Sequence, residues 1–133
     1  MKRRDMNILL ADDDTEDQEI LKEAILKLQP AASFITAANG REAYDYLKNC
    51  GISSLPALII LDFKMPLMSA VDILSRLDAD DRYATVPKVV WSTSTLPQDI
   101  ARCRQSGASE YFVKPRKLAD LVAIARQMLA YTA

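Results

Sequence analysis

The sequence predicts an α/β domain built on a five-stranded parallel sheet, and three observations carry that prediction. Short apolar runs and helix-spaced apolar positions alternate five times along the 133 residues, the pattern of strands joined by right-handed helical crossovers. The run Leu58-Ile59-Ile60-Leu61 is continuously aliphatic, as befits a strand buried on both faces of a parallel sheet. It stops at a lone carboxylate, Asp62, and the loop signal Phe63-Lys64-Met65-Pro66 follows at once. Open parallel sheets place their sites at this carboxyl edge.

Each element has its own signal. Residues 7–11 form an apolar run. Thr15 stands where a helix cap belongs, with Glu16 and Asp17 in the first turn; Ile20, Leu21, Ala24, Ile25 and Leu28 recur at helical spacing until Pro30. Residues 33–37 give a short second strand. Asn39 caps a helix through Ala43, Tyr46 and Leu47 that ends at Gly51. The third strand is 58–61. Ser69 caps a helix through Val71, Ile73, Leu74 and Leu77, and Asp78-Ala79-Asp80-Asp81 reads as a polar loop. After Pro87, Lys88-Val89-Val90-Trp91 is the fourth strand. A helix over 98–106 ends at Gly107, the residue type favoured just past a helix C-terminus. Tyr111-Phe112-Val113 is the fifth strand, and the last helix carries Leu118, Leu121, Val122, Ile124, Ala125 and Leu129. No repeat or linker interrupts the pattern, so one domain over 1–133 is expected, with 1–6 as a short tail.

Composition narrows the chemistry. Half of the residues are hydrophobic, and 17 basic against 18 acidic side chains give a net charge of −1. That balance does not predict direct nucleic-acid binding, and Lys2-Arg3-Arg4 reads as a solvated tail. No apolar stretch approaches the roughly twenty residues of a membrane span, and the start lacks a signal-peptide core, so a cytoplasmic protein is expected. Cys50 and Cys103 form no C-x-x-C pair and read as free thiols. Histidine is absent, which excludes Ser-His-Asp and Cys-His mechanisms and the commonest zinc ligand.

What remains is carboxylates, hydroxyls and lysine, and the fold gathers them. In a parallel sheet all carboxyl ends lie at one edge. The first strand ends in Asp12-Asp13-Asp14, the third in Asp62 and the fourth in Ser92-Thr93-Ser94; Lys114-Pro115 follows the fifth. Each has a plain structural alternative, since acids favour helix N-termini and a lone Asp often forms a turn. Together they suit phosphoryl transfer. Crowded carboxylates raise one another's pKa. A hard cation such as Mg²⁺ removes that repulsion, a lysine adds positive charge, and a carboxylate can attack phosphorus to form an acyl phosphate.

Taken in order, these residues resemble the receiver domain of bacterial two-component response regulators, the CheY-like family. Leu9-Leu10-Ala11-Asp12-Asp13 resembles the acidic pair after its first strand, and Leu61-Asp62-Phe63-Lys64-Met65-Pro66 its phosphoacceptor motif. Pro87 through Ser92 is similar to its fourth strand with the terminal hydroxyl, and Gly107 through Lys114-Pro115 to its fifth. The resemblance runs from Ile8 to the last helix. It implies a doubly wound, flavodoxin-like (βα)5 fold of strand order 2-1-3-4-5. It also implies that Asp62 accepts a phosphoryl group from a phosphohistidine on a sensor histidine kinase or a histidine phosphotransfer protein. Mg²⁺ would be held by Asp12, Asp13, Asp62 and the backbone carbonyl of Lys64, with Asp12 acting partly through water. Lys114 would pair with the phosphoryl oxygens. Ser92 and Tyr111 would be the switch, and the fourth helix, fifth strand and fifth helix the surface for an unidentified protein target or for a second copy. Such a chain is a stand-alone signalling switch rather than a turnover enzyme.

This sequence also departs from the pattern. Ala70 stands where the family usually has Gly; if that position needs a positive φ, Ala is strained there. Lys64 and Thr93 are bulky beside Asp62 and are expected to restrict the attacking water and slow dephosphorylation. Trp91 reads as core. Three other functions are weighed. A phosphorylation-independent interaction module would not be labelled by acetyl phosphate. A flavin protein of similar strand order would need a phosphate-cradling glycine loop after the first strand, where three aspartates stand. A Mg²⁺-dependent phosphatase would need a second Asp where Lys64 is.

Overall fold

The computed structural model describes residues 6–132; the Lys2-Arg3-Arg4 segment lies outside them. Five parallel strands, β1 Asn7–Ala11, β2 Ser33–Ala37, β3 Leu58–Asp62, β4 Lys88–Ser92 and β5 Glu110–Val113, form one sheet in the order β2-β1-β3-β4-β5. The helices are α1 Thr15–Leu28, α2 Gly40–Asn49, α3 Ala70–Asp78, α4 Pro97–Gln105 and α5 Leu118–Ala130. The doubly wound, flavodoxin-like (βα)5 architecture expected from the sequence is the one observed. Among the described residues no helix is long and apolar enough to cross a membrane.

Alternation along each strand divides the core. Leu9, Ile59, Leu61 and Val90 face a layer containing Ala43 and Leu47 of α2, Ile73, Leu74 and Leu77 of α3, and Cys103 of α4. Ile8, Leu10, Ile60, Val89 and Trp91 face Leu21 and Ile25 of α1 and Leu121, Ala125 and Met128 of α5. Each fully buried aliphatic side chain contributes about 1.5–3 kcal/mol, so the central strands β1 and β3 anchor the sheet. The register pairs Ala11 with Leu61, Asp62 with Trp91, and Ser92 with Val113. Asp12, Asp62, Ser92 and Lys114 therefore emerge at one edge from strands that are neighbours in space.

Several boundaries differ from the sequence reading for local reasons. Asp14, not Thr15, caps α1: its carboxylate accepts from the backbone N–H of Glu16 and Asp17, and Thr15 is the first helical residue. Helix α2 stops at Asn49, and a short 3-10 turn at Ile52–Ser54 follows Gly51. The acidic loop after α3 holds a second such turn, Asp81–Tyr83, capped by Asp80. Ser69, Asn39 and Gly107 play the capping roles their residue types announce. Both cysteines are buried and free. Burial first, and then the Asp99 charge, push the Cys103 thiol up to about 11, away from thiolate chemistry.

One buried lysine gave no signal. Lys88 lies in β4 at 7% exposure, and its ammonium donates to the carbonyls of Tyr83 (2.7 Å) and Val86 (2.9 Å). Those bonds tie the α3–β4 connection to the sheet, while burial lowers the Lys88 pKa against the opposing charge of Asp78.

The loop after β3 corrects the expectation for Ala70. Ala70 is the first residue of α3 and is fully buried. The positive φ belongs to Leu67, at 72°, the non-glycine residue with that geometry among those described. The loop is also held from below: Gly40 N donates to Pro66 O at 3.2 Å, and a Cβ on Gly40 would lie 1.7 Å from the Met68 carbonyl oxygen. Only glycine lets the N-terminus of α2 approach this closely.

Leu67 is 76% exposed, so its replacement removes little packing, whereas a left-handed conformation costs an L-residue about 1–2 kcal/mol. Leu67→Gly is expected to raise stability by about 0.5–1 kcal/mol after the entropy cost of glycine. Urea unfolding checks this; a lowered midpoint would show that the loop is not strained at Leu67.

Candidate functional site

The site is assembled from the residues that follow each strand, and the three aspartates after β1 divide the work. Asp14 caps α1. Asp12 is fully buried; its Oδ1 accepts from Asp14 N at 2.9 Å and its Oδ2 from Lys114 Nζ at 2.8 Å. Asp13 is exposed beside it. Gln18, itself buried, donates from Nε2 to the carbonyls of Asp12 (2.6 Å) and Ala37 (3.0 Å), which fixes the corner between β1 and α1.

Asp62 closes the group. Carboxylate oxygens of Asp12, Asp13 and Asp62 lie within 4.8 Å of one another. Asp62 is 7% exposed, and Lys114 Nζ stands 3.5 Å from its Oδ1, beyond a good hydrogen bond. Burial, and then the Asp12 charge, push the Asp62 carboxyl up to about 7; Lys114 opposes the shift and Asp13 adds to it. Burial likewise raises Asp12, against its bonds from Lys114 and Asp14 N. Burial disfavours the Lys114 ammonium, but hydrogen bonds to Asp12 and Asp17 and the charge of Asp62 outweigh it and hold its pKa above the ordinary lysine value. Converging hard oxygens with unrelieved repulsion are a donor set that fits a divalent cation.

The other strand ends supply a connected hydroxyl network. Ser92, 3% exposed at the end of β4, accepts from Ser94 N at 3.1 Å. The Ser94 carbonyl accepts from the Tyr111 hydroxyl at 2.8 Å, and the Ser94 hydroxyl donates to Asp99 of α4 at 2.6 Å. Tyr111 is buried, its ring packed edge-on against Phe63 with centroids 6.5 Å apart. Ser94 thus joins Ser92, Tyr111 and α4 directly. Lys64 and Thr93 are exposed at the same edge. Lys64 lines a groove of about 450 Å³ with Asp13, Phe63, Met65 and Arg102 of α4.

The family model for the response regulator receiver domain matches residues 8–126. The chain belongs to this family. Among curated relatives, the two-component response regulator ARR8 of Arabidopsis thaliana is 28% identical; the match covers 92% of this chain and 60% of that protein, so the chain spans less than two thirds of it. Among solved structures, the phosphorylated cyanobacterial phytochrome response regulator RcpA superposes with a TM-score of 0.86 at 27% identity, covering 96% of this chain and 94% of that one. The Mn²⁺-bound form of response regulator Rcp1 gives 0.81 at 26% identity, covering 94% and 92%. The protein is therefore a receiver domain of phosphorelay signalling, a switch with the CheY-like fold.

Asp12, Asp13, Asp62, Ser92, Lys64, Tyr111 and Lys114 all lie at or beside this edge. Three participants, Asp17, Gln18 and Asp99, were not singled out from the sequence as site residues. Asp17 binds Lys114 at 2.8 Å, yet an acid in a first helical turn is ordinary. Gln18 does carry a signal: with Leu21 and Ile25 it falls on the buried stripe of α1, where a polar residue needs a reason. Asp99 becomes visible only through the loop's path, as does the linking role of Ser94, which the sequence places with Ser92 and Thr93 at the end of β4. Trp91, 1% exposed, is core as expected, but its ring also lies 4.8 Å from the Lys114 ammonium, and its Nε1 has no hydrogen-bond partner among the described residues.

Asp62 gives a pH prediction. Its folded value, about 7, lies above its ordinary value of 3.8. The folded state therefore binds more protons than the unfolded state between those values, and the stability from this group is lost as pH rises through them. Metal-free protein is expected to lose thermal stability between about pH 4 and 7 through this group, and Mg²⁺ to raise Tm more at pH 8 than at pH 5.5. Thermal scans with Mg²⁺ or EDTA check this; an equal Mg²⁺ effect at both pH values would contradict the arrangement.

Proposed function

We propose that residues 1–133 act as a stand-alone receiver in which Asp62 accepts a phosphoryl group from a sensor histidine kinase or a histidine phosphotransfer protein. The observation that carries this reading is Asp62 itself: buried, crowded by Asp12 and Asp13, and facing the ammonium of Lys114. A carboxylate oxygen of Asp62 attacks phosphorus, the N–P bond to the donor histidine breaks, and the electron pair leaves with the imidazole, which takes its proton from solvent. Asp62 then carries an acyl phosphate. Asp12, Asp13, Asp62 and the Lys64 carbonyl would hold Mg²⁺, which would supply neutralisation of phosphoryl charge. Lys114 donates hydrogen bonds to the phosphoryl oxygens.

The switch follows from the hydroxyl network. Ser92 currently accepts from Ser94 N, and its own proton is available for a phosphoryl oxygen. Drawing Ser92 toward Asp62 perturbs Ser94, and with it the Tyr111 hydroxyl and the Asp99 contact on α4. That is a local electrostatic change biasing a two-state surface. The surface of α4, β5 and α5 passes the signal to a protein target or a second copy, without direct nucleic-acid binding. Lys64 and Thr93 flank Asp62 and slow the approach of hydrolytic water.

Incubation with Mg²⁺ and acetyl phosphate is expected to place a hydroxylamine-sensitive phosphoryl group on Asp62. Asp62→Asn should abolish it, and Lys114→Ala should slow it by about 100-fold or more. In the same assay Lys64→Ala with Thr93→Ala should shorten the phosphate lifetime. Labelling that survives Asp62→Asn, or no labelling of the wild type, would reject the phosphoacceptor role and leave the phosphorylation-independent module as the reading.

A further inference from the structure

We propose that Asp17 is a positioning residue that holds Lys114 in the resting state and competes with the phosphoryl group for it. This rests on Asp62 being the phosphoacceptor, and it adds a determinant that lies outside the strand-end motifs.

A lysine ammonium has three N–H donors. In Lys114 two of them make short contacts, 2.8 Å to Asp12 Oδ2 and 2.8 Å to Asp17 Oδ2, while Asp62 Oδ1 stands at 3.5 Å. The lysine is thus drawn away from Asp62 by two other carboxylates. Asp12 belongs to the cluster that fits a metal, and Asp17 does not.

Asp17 has no other visible task. Asp14 already caps α1 and takes the Asp17 backbone N–H at 3.2 Å. Among the described residues the Asp17 carboxylate accepts a hydrogen bond from Lys114 and from no other group. The pair is partly shielded, with side-chain exposures of 11% for Lys114 and 28% for Asp17, so solvent screens it less than an open surface pair.

Two effects then act in the same direction. Lys114 Nζ would bind a phosphoryl oxygen on Asp62 while Asp12 and Asp17 hold it at 2.8 Å each, so the Asp17 contact competes with the new one for the same ammonium. The Asp17 charge also repels an incoming phosphoryl dianion. Asp17 therefore favours the unphosphorylated state, and this chain responds only to a stronger phosphodonor supply than it would with a neutral residue there.

Trp91 reports the lysine's position. It is the single tryptophan of the chain, and its ring centroid lies 4.8 Å from Lys114 Nζ. The experiment is a titration of Trp91 emission with beryllofluoride, a phosphoryl mimic, at fixed Mg²⁺. Wild type, Asp17→Asn, Asp17→Glu and Glu16→Gln would be compared, the last removing an exposed carboxylate from the same turn. Asp17→Asn is expected to lower the half-saturating beryllofluoride concentration about three- to tenfold and to change the emission before any mimic is added. Asp17→Glu should move both values back toward wild type, and Glu16→Gln should change neither. In a Lys114→Met background the Asp17→Asn emission change should vanish, and its midpoint shift should shrink to the part that charge repulsion alone supplies.

An unchanged or raised midpoint in Asp17→Asn overturns the proposal, as does an equal shift in Glu16→Gln, or an emission change or an undiminished midpoint shift that persists without Lys114. If wild type does not respond to beryllofluoride, the phosphoacceptor reading fails. The mimic-free emission of Asp17→Asn then still decides whether Asp17 holds Lys114, and unchanged emission rejects that contact.

Discussion

One ammonium faces more negative charge than it can neutralise, and the rest of the site follows from that imbalance. Lys114 stands within 4 Å of Asp12, Asp17 and Asp62, and Asp13 adds a fourth carboxylate nearby. Burial withholds the water that would otherwise screen them. The result is a carboxyl at Asp62 pushed up to about 7 and a group of oxygens that gains from a divalent cation. The same deficit of positive charge makes the position of Lys114 a controllable quantity, because every carboxylate that binds it withdraws it from the others.

The sheet creates this crowding and bears its cost. Sequence separations of about fifty residues part Asp12 from Asp62 and Asp62 from Lys114, yet the parallel strands β1, β3 and β5, the last two separated only by β4, deliver all three to one edge. The apolar layers on both faces hold those strand ends rigid against the repulsion. Gln18 and Lys88 add buried ties at opposite ends of the sheet. At the β3–α3 loop, the closeness of Gly40 to Met68 and the positive φ of Leu67 set the path that leads away from Asp62. On the other side Ser94 links the β4 hydroxyl to Tyr111 and α4.

Much of this was legible in the sequence, for reasons of pattern. Four aliphatic residues ending at Asp62 announce a doubly buried strand with a carboxylate at its tip. Alternation of runs announces the parallel sheet, and the parallel sheet announces the convergence of Asp12, Asp62, Ser92 and Lys114. What sequence does not carry is geometry at the scale of one side chain. Thr15 and Asp14 are both good caps, and only the backbone path selects Asp14. Ala70 looked strained by analogy with a glycine, whereas the chain places its positive φ three residues earlier. Asp17 reads like any acid in a first helical turn, and only the fold brings its carboxylate to Lys114.

The account rests on unrelieved repulsion at Asp62 in the metal-free protein, and the direct measurement is the titration of its carboxyl carbon by NMR, without and with Mg²⁺. The account predicts an apparent midpoint near 7 without metal, shared in part with Asp12, and a fall well below that value when Mg²⁺ is present. An Asp62 carboxyl that titrates at the ordinary aspartate value without metal, and does not move when Mg²⁺ is added, would contradict it.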